Sequence, residues 1–314
     1  MTDNSMMKSN SIPKKNILIT GASGLIGTRL IKNLLERGHN ISVLSRQSSG
    51  FKGIKVYNWD VERQLIDLNA FEGIDTIIHL AGAGIADQRW TKQRKLEIVN
   101  SRVKSTQLLY QTIEAINAPV KTLISASAVG FYGNRNDEIL YENSGSGTGF
   151  LADCCRQWEE AVDQGLESAI RVVKLRIGMV LSREGGALSE LARPVSFFVG
   201  APLGSGKQWM PWIHLTDLIS IIENAIDNPD YSGTFNASTP YPVTNYEFTK
   251  ILARKLFRPV WPVNVPEFML KTMLGEMSSV ILSSNRTSPK KLMQMGFNFR
   301  YQVLDAALSE IYSH

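Results

Sequence analysis

NILITGASGLIGTRLIKNLLER, residues Asn16 to Arg37, decides the fold of this chain. The apolar run Ile17–Ile19 consists of strand-forming side chains and is long enough for a buried parallel strand. Glycines follow at intervals of three, and apolar residues then recur at helical spacing, at Leu25, Ile26, Leu30, Ile31, Leu34 and Leu35. The chain therefore turns sharply from a strand into a helix. Glycine at such a turn permits tight geometry and lets a ligand approach the backbone closely.

This strand–turn–helix unit predicts a dinucleotide-binding loop. The first N–H groups of a helix are free, and its positive dipole end suits a pyrophosphate. A glycine turn with a purely structural role is the alternative. The predicted cofactor contacts in the loop are Gly21, Ala22, Ser23, Gly24, Leu25, Ile26 and Gly27.

The next apolar strand, Ile41–Leu44, predicts which dinucleotide binds. An NAD-specific domain is expected to carry an acidic residue about 20 residues beyond the glycine loop. No acidic residue occurs between His39 and Asn58, and the strand runs into Ser45 and Arg46. An arginine at this place suits the 2′-phosphate of NADP. We therefore expect NADP(H) rather than NAD(H); an unliganded surface arginine is the alternative.

Further strands are predicted at Ile54–Tyr57, Ile74–Leu80, Thr122–Ser125 and Val172–Leu175, with helices at Thr91–Asn117 and Phe150–Gln164. This alternation predicts an α/β fold with a doubly wound parallel Rossmann sheet. The ends of these strands and their neighbours supply the remaining predicted cofactor contacts, which are Asp60, Leu80, Ala81, Gly82, Ser125, Ala126 and Arg176.

Beyond Gly178 the sequence is rich in glycine and proline, which indicates irregular segments. We expect a smaller C-terminal substrate lobe that closes over the cofactor cleft. The predicted organisation is a flexible tail at 1–14, an NADP-binding Rossmann domain at 15–180, and the smaller lobe at 181–314, with some segments returning to the sheet.

The composition excludes several classes of protein. The 314 residues carry a net charge of +5, but Lys and Arg cluster only in pairs, so no nucleic-acid partner is expected. The two cysteines, Cys154 and Cys155, are adjacent and the four histidines are scattered, so neither a disulfide framework nor a metal site is expected. No apolar run has membrane-spanning length and residues 1–13 lack a signal-peptide core. We expect a cytoplasmic protein without a membrane partner.

Several phrases of the sequence resemble a known superfamily. ITGASGLIG (Ile19–Gly27), DTIIHLAG (Asp75–Gly82), SASAVGFYG (Ser125–Gly133), LRIG (Leu175–Gly178) and WIHLTDL (Trp212–Leu218) are similar to the extended short-chain dehydrogenases/reductases, the sugar-nucleotide epimerase/dehydratase group. IADQRWT from Ile85, SRVKST from Ser101 and SPKKLMQMGFNFRY from Ser288 resemble a narrower set, the bacterial and organellar "epimerase family proteins". That group ends in a C-terminal domain of unknown function. The resemblance implies a nicotinamide cofactor, and relatives commonly form homodimers through their long helices.

One departure from the superfamily concerns its chemistry. Its members use a tyrosine and a lysine four residues apart on one helix face, but Phe150 and Cys154 stand at these places. Neither side chain acts as the usual acid or base. Together with Trp158 they form an apolar stripe, so packing in the core is the alternative interpretation.

Other side chains must then supply the chemistry, if there is any. Ala128 stands where the superfamily's catalytic Ser or Thr is expected, and Ser127 precedes it; Ser127 and Tyr132 are the candidate catalytic residues. The alternative for Ser127 is that it only forms a hydrogen bond to the nicotinamide amide or to the backbone. Tyr141, Asp153 and Cys154 are further protic side chains near the predicted cleft. Candidate contacts to a small, possibly anionic, substrate are Arg102, Lys207, Trp209 and His214, each with a surface or packing role as the alternative.

Two functions remain open from the sequence. The first is an NADP(H)-dependent oxidoreductase or epimerase that acts on a small carbonyl or sugar-nucleotide substrate. The second is a non-catalytic NADPH-binding sensor or assembly protein, of the kind labelled cell-division-inhibitor-like. A protic group beside the nicotinamide favours the first function, and an apolar, filled pocket favours the second.

Overall fold

The computed structural model describes residues 13–47 and 50–313. The predicted tail at 1–14 lies almost entirely outside these ranges. None of the helices in the described ranges is long and apolar enough to cross a membrane. In the same ranges no three His, Cys, Asp or Glu side chains group as they would around a metal ion.

An eight-stranded sheet forms the centre of the molecule. Its strands are β1 (Asn16–Thr20), β2 (Asn40–Ser45), β3 (Lys55–Asp60), β4 (Leu65–Ile66), β5 (Thr76–His79), β6 (Thr122–Ala128), β8 (Arg171–Ile177) and β12 (Gly233–Ala237). The spatial order is β12-β8-β6-β5-β1-β2-β3-β4, and every pair is parallel except β3 with β4. The order reverses beside β1, which places a crevice at the carboxyl ends of β1 and β5.

Helices cover both faces of this sheet. The helices of the chain are α1 (Leu25–Glu36), α2 (Lys92–Ala115), α3 (Phe150–Asp163), α4 (Ala187–Ser196), α5 (Leu215–Asp227), α6 (Asn245–Lys255), α7 (Glu267–Leu274), α8 (Ser279–Leu282), α9 (Lys290–Gln294) and α10 (Leu304–Tyr312). Helices α1 and α5 pack on one face and α2 and α3 on the other, each over its own buried apolar core. The predicted doubly wound α/β fold is confirmed.

Residues beyond 180 build a third apolar core from α4, α6, α10 and Trp212. Short strands connect this part to the rest: β9 (Met179–Leu181) pairs with β11 (Trp212–His214), β10 (Trp209–Met210) with β13 (Val243–Thr244), and β7 (Ile139–Leu140) with β14 (Arg286–Thr287). Strand β12 and helix α5 belong to the large sheet and its cover. A segment of the C-terminal part therefore completes the central sheet.

Two helices of the C-terminal part end in the same unusual way. After α4 and after α6 the chain passes through a left-handed residue, Phe198 (φ 64°) and Phe257 (φ 55°). In both, the next N–H reaches back five residues, from Val199 to Pro194 and from Arg258 to Ala253. These are Schellman caps, whose left-handed position is usually a glycine. A phenylalanine there costs backbone strain that glycine avoids.

Candidate cofactor and substrate site

The glycine loop packs tightly against the end of β5. Gly21 has a φ of 68°, and a Cβ on it would lie 2.6 Å from the Leu80 carbonyl. A Cβ on Gly27 would lie 2.5 Å from the Gly21 oxygen and 2.7 Å from the Ala22 Cα. These two glycines are required by packing within the protein.

Gly24 differs from its two neighbours in the loop. A Cβ on it would meet only the Gly21 oxygen, at 3.3 Å, so its open side faces away from the protein. It is the N-cap of α1, no side chain caps this helix, and no acidic residue occupies its first turn. The N–H groups at the start of α1 are thus available to an anionic ligand.

A cavity of about 870 Å³ lies beside the loop, at the carboxyl ends of β1 and β2. Arg46 and Lys52 both line it, and no carboxylate does so among the residues that the structure describes. Sequence reasoning missed Lys52 because the segment after β2 has no regular pattern to place it. The described lining is Ser23, Thr28, Ile31, Ser45, Arg46, Gln47, Gly50, Phe51, Lys52 and Ile54. Two cations beside two serine hydroxyls suit a phosphate group.

Asp60 is not among the residues that line this cavity. Its carboxylate accepts the Arg63 N–H in the turn after β3 (Oδ1···N 3.0 Å). The residues that follow β5 are fixed by β1, because the Thr20 hydroxyl accepts the N–H groups of Leu80 and Ala81, at 3.2 Å each. Gly82 follows and is exposed.

The alternation of β6 separates its serines from the cleft. Ser125 and Ser127 are buried on one face of the strand, whereas Ala126 and Ala128 are partly exposed on the other. The Ser127 hydroxyl donates to Glu159 Oε1 at 2.6 Å. The end of β6 therefore presents methyl groups where the superfamily presents a hydroxyl. The structure thus does not bring Ser125 or Ser127 to the cleft surface, and their roles in cofactor binding and catalysis stay predictions.

Arg176 and Tyr132 belong to the same buried network as Ser127. Arg176 makes two hydrogen bonds of 2.8 Å to Glu159 and donates to the Tyr132 hydroxyl at 2.9 Å. Tyr132 is fully buried and donates to Asn236 Oδ1 at 2.6 Å; burial raises the pKa of its phenol. Both side chains are occupied within the protein. Arg176 as a cofactor contact and Tyr132 as an acid therefore stay predictions that the observed hydrogen bonds do not favour.

An apolar cluster occupies the place of the superfamily's tyrosine and lysine. Phe150 packs edge-to-face on Trp90, with ring centroids 4.7 Å apart, and Cys154 lies behind them with Ile98. Burial raises the pKa of the Cys154 thiol, which is therefore neutral at physiological pH. This cluster supplies no proton donor of the usual kind.

Arg102 reaches this region from α2. Its side chain is buried, and a Cβ on Gly82 would lie 3.0 Å from its guanidinium carbon. The guanidinium carbon is also 5.1 Å from the Trp158 ring centroid. The side chain predicted to bind an anionic group therefore lies under the end of β5, next to the apolar cluster.

A second cavity of about 540 Å³ is bordered by the C-terminal part of the chain, and Lys207, a predicted substrate contact, is among its lining residues. Trp209 is not among the lining residues, but its indole N–H donates at 2.8 Å to Asp137, which lines the cavity. Hydroxyl and amide side chains dominate the described lining, which includes Asn134, Asn136, Thr148, Ser205, Gln208, Ser279 and Ser283. The lining also holds the carboxylates of Asp137 and Glu267, the second of which pairs with Lys271, so the surface suits a polar ligand rich in hydroxyl groups.

His214 is not part of either cavity. It is the N-cap of α5, where Nδ1 accepts the Thr216 N–H at 3.2 Å and Nε2 donates to Glu310 at 3.0 Å. Its ring packs on Tyr301, with centroids 4.0 Å apart. Burial lowers the pKa of this histidine. In the structure His214 links α5 to the C-terminal helix, and its role as a substrate contact stays a prediction.

The fold and the glycine loop define a Rossmann-type protein of the short-chain dehydrogenase/reductase class. Residues 17–150 match the model of the NAD dependent epimerase/dehydratase family, and residues 265–311 match a domain of unknown function, DUF1731. An Arabidopsis thaliana protein named epimerase family protein SDR39U1 homolog, chloroplastic, is 37% identical over 308 residues, 94% of this chain and 86% of the relative. An epimerase family protein of Mycobacterium leprae is 36% identical over 297 residues, 94% of this chain and 95% of the relative. This chain belongs to that epimerase family, as its sequence motifs indicated.

Two solved structures support the same assignment. Human epimerase family protein SDR39U1 (isoform 2), crystallised with NADPH, superposes with a TM-score of 0.83 at 28% identity and covers 95% of this chain and 99% of that one. A nucleoside-diphosphate sugar epimerase from Corynebacterium glutamicum gives a TM-score of 0.78 at 34% identity, over 96% of this chain and 58% of that one.

Proposed function

We propose that this chain binds NADP(H) across the carboxyl ends of β1, β2 and β5. The observation that carries the proposal is the cavity beside β2, where Arg46 and Lys52 lie together and no carboxylate lines the described wall. NAD-specific sites instead require an acid for the ribose hydroxyl, and a 2′-phosphate requires cations. The NADPH in the human relative's structure supports the same choice of cofactor.

The residues present fit the cofactor along its length. Gly24 and the uncapped start of α1 would hold the pyrophosphate, and Ser23, Ser45, Arg46 and Lys52 would hold the 2′-phosphate. The neutral segment Leu80–Gly82 would line the crevice between them and the nicotinamide. When bound, NADPH supplies a hydride.

Calorimetric titration with NADPH and NADH tests the proposal. Arg46→Ala and Lys52→Ala are each expected to weaken NADPH binding about tenfold and to leave NADH binding unchanged, because only NADPH carries the 2′-phosphate. Lys121→Ala, an exposed lysine at the amino end of β6, is the matched control and should change neither affinity. An unchanged NADPH-to-NADH affinity ratio in both cavity variants contradicts the assignment.

A Gly24→Val variant tests the pyrophosphate position separately. The backbone of Gly24 has a φ of −76°, which other residues adopt, so the fold should persist. The added side chain would occupy the open side of the loop and should abolish binding of both cofactors. Normal binding by this variant would remove the glycine loop from the site.

Catalysis on a polar substrate is a second candidate function. The cavity lined by Lys207 and by hydroxyl and amide side chains favours it, since it could hold a sugar-nucleotide or another small anionic carbonyl compound. The apolar cluster of Trp90, Phe150 and Cys154 favours the non-catalytic role of a cofactor-dependent sensor or assembly protein. Oxidation of protein-bound NADPH in the presence of a panel of sugar-nucleotides and small keto acids distinguishes them. Turnover that Lys207→Ala abolishes supports the enzyme, whereas tight NADPH binding without turnover supports the sensor.

A further inference from the structure

The superfamily's helix lysine has no counterpart on α3, because Cys154 occupies its place. In the superfamily that lysine acts together with the nicotinamide ribose to lower the pKa of the tyrosine. Cys154 is buried and uncharged, and Trp158, one turn further along α3, is also buried. This wall of the crevice therefore lacks a cation of its own.

A cation lies against the same wall but comes from another helix. Arg102 extends from α2, and its guanidinium carbon is 5.1 Å from the Trp158 ring centroid. It also lies directly under Gly82, where a Cβ would be 3.0 Å from the guanidinium carbon and 3.2 Å from Nη2. Glycine at position 82 thus leaves room for the arginine at the edge of the crevice.

This guanidinium has few partners within the protein. Its side chain is 8% exposed, and the hydrogen bonds found for it come from Nη1, to the Ile98 carbonyl at 2.8 Å and more weakly to Ser101. No carboxylate lies within ion-pair distance of it in the described parts of the chain, and the nearby charge of Arg94 is also positive. Its Nε and Nη2 make no hydrogen bond within the described parts of the chain, yet neither is enclosed, so both can donate to a ligand.

We propose that Arg102 replaces the missing lysine and donates to the ribose hydroxyls of the nicotinamide half of the cofactor. The inference rests on the proposed function, since it requires NADPH in the crevice. The cation of this site therefore comes from α2 rather than from α3, and it lies next to Gly82 and the Trp158 ring. A guanidinium presents several N–H donors in a fixed fork, which matches two adjacent hydroxyls.

Two ligands separate this role from the rest of the cofactor site. Adenosine 2′,5′-bisphosphate carries the adenosine half and the 2′-phosphate but no nicotinamide ribose. Arg102→Gln is expected to weaken NADPH binding about tenfold and to leave binding of adenosine 2′,5′-bisphosphate unchanged. Arg102→Lys keeps the charge and should retain NADPH affinity within about threefold. Arg46→Ala, by contrast, should weaken both ligands.

Arg94→Gln is the matched control, because Arg94 is also a buried arginine of α2 but is paired with Glu97 and with the Gly84 carbonyl. It should change the two affinities by the same factor. NADPH binding by Arg102→Gln at the wild-type level overturns the inference, as does an equal loss of both ligands in a folded protein. Failure of the proposed function gives a different result, in which the wild-type protein binds neither ligand.

A charge relocation tests the same role in a second, independent way. The double variant Arg102→Asn with Cys154→Lys returns the cation to α3, where the superfamily has it. We expect this variant to bind NADPH within about threefold of wild type, whereas Arg102→Asn alone binds it about tenfold more weakly. A double variant that binds adenosine 2′,5′-bisphosphate normally but is no better than Arg102→Asn for NADPH overturns the inference.

Discussion

At the scale of single residues, His79 links the glycine-loop strand to α2. The Thr20 hydroxyl already accepts two N–H groups, so its own proton goes to Nδ1 of His79 at 2.7 Å. The proton of His79 is therefore on Nε2, which donates to Ser105 Oγ at 3.0 Å. This chain of bonds fixes one tautomer of a neutral histidine.

We predict that this histidine makes the fold sensitive to acid. Burial, and secondly the charge of Arg102, lower the pKa of His79 to about 4, from 6.5 for an unperturbed histidine. The unfolded chain therefore binds a proton more readily than the folded one. The contribution of neutral His79 to the free energy of unfolding is fully present above about pH 6.5. As the pH falls towards 4 this contribution is lost, by ~3 kcal/mol in all.

Urea unfolding at a series of pH values between 7.5 and 4.5 measures this effect. His79→Gln is the control, because glutamine can bond to Thr20 and Ser105 but does not titrate in this range. The free energy of unfolding of the wild type should fall more steeply with acidification than that of His79→Gln. Equal slopes would mean that His79 is not neutral in the folded state.

The residues of the site were predictable where a local pattern determined them. The glycine loop and Arg46 could be placed because a strand–turn–helix unit fixes their surroundings. Ser127 was chosen from its distance to the Tyr132–Gly133 motif alone. The two-residue alternation of β6, with alanines on one face and serines on the other, is the signal that would have indicated which face Ser127 occupies. Lys52 carried no such signal, because a loop brings it to Arg46.

At the scale of elements, the apolar patterns predicted the helices well. Helix α3 begins at Phe150 as expected and ends at Asp163, one residue before the predicted end. Strand β5 begins two residues later and ends one residue earlier than the predicted Ile74–Leu80. The patterns could not reveal the Schellman caps after α4 and α6, since phenylalanine gives no sign of a left-handed backbone.

We predict that Phe257→Gly stabilises the protein. Phe257 has a φ of 55° and is 85% exposed, so its ring contributes little burial while its Cβ strains the backbone. Glycine removes that strain, and we expect a gain of about 1 kcal/mol in the free energy of unfolding. Phe257→Ala retains the Cβ and should leave the stability nearly unchanged. Urea unfolding of the three proteins measures the difference, and a less stable glycine variant would contradict the strain argument.

At the scale of the whole molecule, Asp217 connects the central sheet region to the C-terminal segment. It lies in the first turn of α5 with 2% of its surface exposed, and its carboxylate accepts the N–H groups of Arg300 (2.8 Å) and Tyr301 (3.0 Å). Burial raises the pKa of this carboxyl, and the two N–H groups oppose that shift. One side chain thus holds a segment that is 83 residues away in sequence.

Asp217→Asn should release this connection. An asparagine accepts through one oxygen only, so one N–H group loses its acceptor and the free energy of unfolding should fall by about 2 kcal/mol. We also expect faster proteolysis beyond residue 288, measured by mass spectrometry of the fragments. Asp230→Asn, at an exposed position, is the control and should behave like wild type. Resistance to protease equal to wild type would show that other contacts hold the segment.

The whole arrangement was less predictable than its parts. The Rossmann half follows from local alternation, whereas β14 finds its partner β7 almost 150 residues earlier in the chain. Such pairings depend on side chains like Asn236, which donates to the carbonyls of both Leu140 and Ser288. No pattern within one segment specifies a contact of this kind.

The distance between β7 and β14 also bears on the order in which the chain becomes structured during synthesis. The glycine loop, β2 and the end of β5 lie within the first 82 residues, and Arg102 emerges soon after them. The partners of Leu140 leave the ribosome only with residues 286–288. We therefore expect the nucleotide crevice to fold on the nascent chain while Ile139–Leu140 is still an unpaired strand. Cellular NADPH would then stabilise the growing protein before residues 286–288 are made.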